Sequence, residues 1–89
     1  MNPEQKQMLR DSLLAALVVS SPLSLPLGTL KMTARAAGFK IEDATLEAHV
    51  DYLVEKGLAQ MARNELSAGV RRWKATGAAT DYCEANGLV

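Results

Sequence analysis

The stretch "HVDYLVEKGLAQM", His49–Met61, changes its period at Gly57. Before it, Leu46, Val50, Leu53 and Val54 recur at three-to-four spacing and form one helical stripe, in a segment that Asp43 opens as an N-cap. Gly57 is the residue type that stops a helix by turning left-handed. Beyond it the alternation is two. "LAQMAR" and "VRRWKA" read as strands, joined by "NELSAG", whose Asn64, Ser67 and Gly69 are turn residues. A helix that ends at glycine and runs into a hairpin sets the middle of the fold, and the flanking segments are read outward from it.

Upstream, "PEQKQMLRDSLLAALVVS" reads as a first helix with Pro3 in its opening turn. Its stripe is drawn from Met8 or Leu9, Ser12 or Leu13, Ala16 and Val19. "SPLSL" breaks it. Ser24 and Pro26 then supply a cap and a first turn for a second helix, "PLGTLKMTARAAG", with Leu27, Leu30, Ala34 and Ala37 on one side and Gly38 as its stop. Downstream, Arg71, Trp73 and Ala75 share one face of the second strand, while Val70, Arg72 and Lys74 share the other. Thr76 caps a last helix that runs to Gly87, with Ala79, Tyr82 and Cys83 facing inward. The order is helix, helix, helix, strand, strand, helix, an α+β, mostly α chain forming a single domain over residues 1–89.

Composition narrows the function. With 48% apolar and 22% charged residues in 89, the chain has the make-up of one globular domain with a small core. Stability at this size is marginal, and a second copy of the chain, as a homodimer, is one way to add buried area. Cys83 is the only cysteine, which excludes an intramolecular disulfide and a cysteine-based zinc site and fits a reducing cytoplasm. Residues 12–30 carry no charge and follow Lys6 and Arg10, as a signal peptide or membrane span would. Only Leu13–Val19 is strongly apolar, Pro22 and Pro26 interrupt the run, and no small-x-small cleavage site follows, so neither export nor a membrane is expected.

Nothing in the sequence asks for a catalyst or a cofactor. Ser20, Ser21 and Ser24 have no base spaced to activate them, and "GTLKMTARAAG" lacks the paired glycines and Gly-Lys-Ser/Thr ending of a phosphate loop. His49, the single histidine, lies at the edge of the third helix's apolar stripe and reads as a structural residue.

"HVDYLVEKGLAQM", a hairpin, and then "RRWKATGAATDYCE" together resemble the winged helix-turn-helix domain of small prokaryotic and phage regulators. The residues that carry the likeness are Tyr52, Leu53, Lys56, Gly57 and Leu58 at the end of the third helix, and Arg72, Trp73, Lys74 and Thr76 where the wing enters the last helix. The likeness spans residues 8–86, with Ala79 where the family pattern usually has glycine. It implies a three-helix helix-turn-helix core, a two-stranded wing hairpin and a C-terminal helix. It further implies a transcriptional regulator that binds double-stranded DNA, with the third helix in the major groove and the wing on the backbone.

The charge distribution opposes part of that expectation. Residues 1–40 carry five cations and two anions, residues 41–57 one cation and five anions, and residues 58–89 four cations and three anions. The helix expected in the groove is therefore the most acidic segment, through Glu42, Asp43, Glu47, Asp51 and Glu55. Candidate phosphate contacts are Arg63, Arg71, Arg72 and Lys74 on the wing, with Lys31, Arg35 and Lys40 around the second helix. Two alternatives stand beside this. The cations can form a solvated rim paired with Glu65 and the acidic helix, or the helix can dock on a basic protein through Glu47, Asp51, Tyr52 and Glu55.

Overall fold

The computed structural model describes residues 1–62 and 70–89. Its elements, in chain order, are α1 (Pro3–Ser20), β1 (Leu25–Pro26), α2 (Leu27–Ala36), α3 (Asp43–Glu55), β2 (Ala59–Ala62), β3 (Arg72–Ala75) and α4 (Gly77–Ala85). The fold is a winged helix-turn-helix: three helices, a hairpin and a closing helix around one core. The expected turn "NELSAG" and Arg63 lie outside the described residues.

Trp73 is fully buried on β3, in one core cluster with the four leucines of α1, Leu9, Leu13, Leu14 and Leu17. Leu30 and Ala34 of α2, Leu46, Val50 and Leu53 of α3, and Ala79 and Cys83 of α4 close the same cluster. Burial pushes the Cys83 thiol above its ordinary range, as expected of a core residue. Tyr82, expected to point inward, is only half-buried, because its hydroxyl donates to Asp11 (2.9 Å) and accepts from Gln7 (2.9 Å) on α1.

Four further expectations are corrected. The stripe of α1 is Leu9, Leu13, Leu14 and Leu17, whereas Met8 and Val19 are exposed and Ala16 is half-buried. A nearly unbroken apolar run carries no phase, so burial selects the leucines that cluster with Trp73. Second, the N-cap of α3 is Glu42, with Asp43 as the first helical residue and no side-chain capping bond. Third, the sheet has three strands, in the order β1-β3-β2, rather than two. Leu25 precedes a proline and is held extended, so it pairs antiparallel with Trp73, and Pro26 opposes Arg72 from an edge strand, where its missing N–H costs nothing. Ser24, instead of capping α2, accepts from Arg72: Nε to Oγ at 2.9 Å and Nη2 to the carbonyl at 2.8 Å.

The two motifs that carried the family likeness meet at Thr76. Gly57 has φ +75° and closes α3 with a Schellman pair, Gly57 N–H to the Val54 carbonyl and Leu58 N–H to the Leu53 carbonyl, both 3.0 Å. The Thr76 hydroxyl donates to the freed Gly57 carbonyl at 2.7 Å and accepts the Ala79 N–H at 3.3 Å, capping α4. One hydroxyl thereby joins the end of α3 to the start of α4.

His49 ties α1 to α3. It is nearly buried, and its Nδ1 accepts from Arg10 Nε at 3.3 Å, which requires the neutral ring with its proton on Nε2. Desolvation first, then the charges of Arg10 and Lys6, hold its pKa below the ordinary value.

Two outcomes follow from these contacts. Thr76→Ala should lower the unfolding free energy by about 1–3 kcal/mol in urea melts, from a lost cap and a lost hydrogen bond, while Thr76→Ser keeps most of it; equal losses would discount the hydroxyl. His49 binds a proton more readily unfolded than folded, so its contribution is complete above a pH of about 6.5 and declines as pH falls below that. The urea midpoint should therefore drop between about pH 7 and 5, and drop less in His49→Gln.

Candidate nucleic-acid interface

The helix-turn-helix is α2, the turn through residues 37–42, and α3. Gly38, at φ +93°, reverses the chain after α2 and brings Lys40 back beside the helix it has just left. As a result Lys31, Arg35 and Lys40 line one open depression of about 570 Å³, together with Gly38, Ile41 and Glu42. Lys31 bonds Asp43 at 2.8 Å. Arg35 and Lys40 are exposed, and among the described residues no carboxylate pairs with either.

The acids of α3 do not face solvent as a row of bare charges. Arg71, immediately before β3, lies on the Trp73 side of the chain, with its guanidinium 4.9 Å from the centre of that ring. From there Nη1 reaches Glu47 Oε2 at 3.3 Å and Nη2 reaches Asp51 Oδ1 at 2.7 Å. All three side chains are more than a third exposed, so the pairs add at most about 1 kcal/mol to stability. Their consequence is electrostatic. With Lys31 on Asp43 and Arg71 on Glu47 and Asp51, three of the four carboxylates within α3 have a cation beside them.

On the other flank of α3, Arg10 covers the Tyr52 ring at 3.8 Å, and Lys56 stands 5.5 Å from the same ring. Neither Arg10 nor Ser24 is signalled as a partner in the sequence, since their contacts span 39 and 48 residues. Between the two flanks the outer face of α3 presents Ala44 and Ala48, with Thr45 beside them on the Tyr52 side and Glu55 in line with them toward the C-terminus, all exposed.

The six candidate cations among the described residues thus fall into separate groups. Lys31, Arg35 and Lys40 come together. Arg71 is held by α3 and Arg72 by Ser24, both within the protein. Lys74 is half-buried on β3 opposite Gln60. Of the face considered for a basic protein, Glu47 and Asp51 are held by Arg71, Tyr52 lies under Arg10, and Glu55 stands exposed. Among the described residues no cluster of three or more His, Cys, Asp or Glu could hold a metal, and no helix is long and apolar enough to cross a membrane.

No protein-family model and no curated protein matches the sequence. Solved structures do match the fold. A variant of Lactococcus lactis ZitR in apo form superposes with a TM-score of 0.74 at 15% identity, over 94% of this chain and 58% of that one. A MepR mutant from a multidrug-resistant S. aureus clinical isolate gives 0.74 at 14% identity, over 96% and 64%. A mutant of E. coli MarR complexed with operator DNA gives 0.63 at 17% identity, over 92% and 62%. The chain spans less than two thirds of each of these proteins, and at such identities the likeness establishes the winged helix-turn-helix fold.

Proposed function

We propose that this protein is a small winged-helix regulator that binds double-stranded DNA, with α3 toward the major groove. The observation that carries the reading is the convergence of Lys31, Arg35 and Lys40 on one surface at the entrance to α3. Of the three, Arg35 and Lys40 have no carboxylate partner among the described residues and are placed to meet the phosphates that flank a groove-bound helix, while Lys31 stands beside them on Asp43. The pairing of Arg71 with Glu47 and Asp51 reduces the main objection, the acidity of α3, because these two carboxylates approach a phosphate wall with one shared counter-charge already beside them. The operator DNA in the matched E. coli MarR structure supports the same reading by analogy of fold. The competing reading, an acidic helix docked on a basic protein, is weakened by the same pairing, which leaves Glu55 as the one carboxylate of that face without an ion-pair partner among the described residues.

Fluorescence anisotropy with labelled duplex DNA tests this at low and near-physiological salt. Binding should weaken with salt, and Arg35→Ala/Lys40→Ala should reduce affinity and flatten the log–log salt slope by about 2 units. Absence of binding even at low salt would sink the proposal.

A further inference from the structure

Within α3 (residues 43–55) there is no Asn, Gln, Lys or Arg. These are the side chains that make paired hydrogen bonds to guanine or adenine edges in the major groove. The remaining hydrogen-bonding groups are accounted for in part: Glu47 and Asp51 are held by Arg71, and the Tyr52 ring is covered by Arg10. Apart from Asp43, which is paired with Lys31, the N-terminal half of the helix offers outward Ala44, Thr45 and Ala48, three small exposed side chains that each carry a methyl group, with the Thr45 hydroxyl as the one hydrogen-bonding group among them. Arg71 with its acids borders Ala44 and Ala48 on one side and Arg10 on Tyr52 on the other, so the N-terminal half of this strip is uncharged, and Glu55 lies in line with it two turns beyond Ala48.

We propose that α3 selects its DNA by apolar contact between Ala44, Thr45 and Ala48 and the C5-methyl groups of thymine, so that the preferred site carries A·T pairs under the helix. The inference rests on the duplex-binding reading and adds its specificity. Small side chains let the helix backbone lie deep in the groove, and a methyl-lined strip rewards thymine over cytosine, which lacks the methyl, without any hydrogen bond to a base. The cations Arg35 and Lys40 hold the helix in register on the backbone but carry no sequence information.

The test is a selection from a random double-stranded DNA pool, followed by a scan of the enriched duplex in which each thymidine is replaced singly by deoxyuridine. That change removes one methyl and leaves base pairing intact. The expected result is an enriched A·T core in which one to three replacements each weaken binding about fourfold, the value of one buried methyl group, while replacements outside the core have no effect. In Ala48→Arg, selection should move one core position from thymine to guanine. Enriched duplexes with no deoxyuridine penalty, or an unchanged preference in Ala48→Arg, would overturn the inference while leaving DNA binding intact. A protein that retains no duplex at low salt would instead remove the functional reading beneath it.

Discussion

The guanidinium of Arg71 stands where three parts of the molecule meet. It rests over the ring of Trp73, the residue that joins hairpin to helices, and reaches from there to two carboxylates of α3. Because the pairs are exposed, their contribution to stability is small. Their importance is that a helix carrying Asp43, Glu47, Asp51 and Glu55 in thirteen residues would otherwise present an anionic face to any polyanion. With Arg71 and Lys31 in place, two of the four negative charges of α3 are offset, and what remains is one charge shared by Glu47 and Asp51 around the single Arg71 and one at Glu55.

That arrangement depends on the sheet being anchored, and the anchor lies far back in the chain. Arg72, next in the chain, points to the opposite side and fixes β3 to the segment before α2 through both oxygens of Ser24. Adjacent arginines thus do opposite jobs because a strand alternates its side chains. One secures the wing to the helix-turn-helix entry, the other to α3. Thr76, four residues on from Arg72, completes the connection by bonding the Gly57 carbonyl.

Much of this was legible in the sequence where the signal was periodic or carried by one residue type. Gly57, Thr76, Trp73 and the stripe of Leu46, Val50 and Leu53 all specify local geometry, and the change of period at Gly57 located the wing. The two-residue strand β1 was not legible, since Leu25–Pro26 is too short to show alternation and its pairing with Trp73 is non-local. The phase of α1 was hidden because apolar residues occupy every face from Leu13 to Val19. For the candidate site, sequence named the cations and the acids but not their partners. Whether Arg71 meets a phosphate or Asp51 depends on a contact across twenty residues, which spacing alone does not contain.

The central claim is that Arg71 acts as the counter-ion of α3 rather than as a phosphate contact. The most direct measurement compares duplex DNA affinity for Arg71→Gln with that for the fully neutral triple variant Glu47→Gln/Asp51→Asn/Arg71→Gln. The account predicts that the single substitution weakens binding by exposing two unpaired carboxylates, and that the triple variant restores it to the original level or better. A triple variant as weak as the single one, with a salt slope reduced by about 1 unit, would show that Arg71 touches the phosphate itself and would contradict the account.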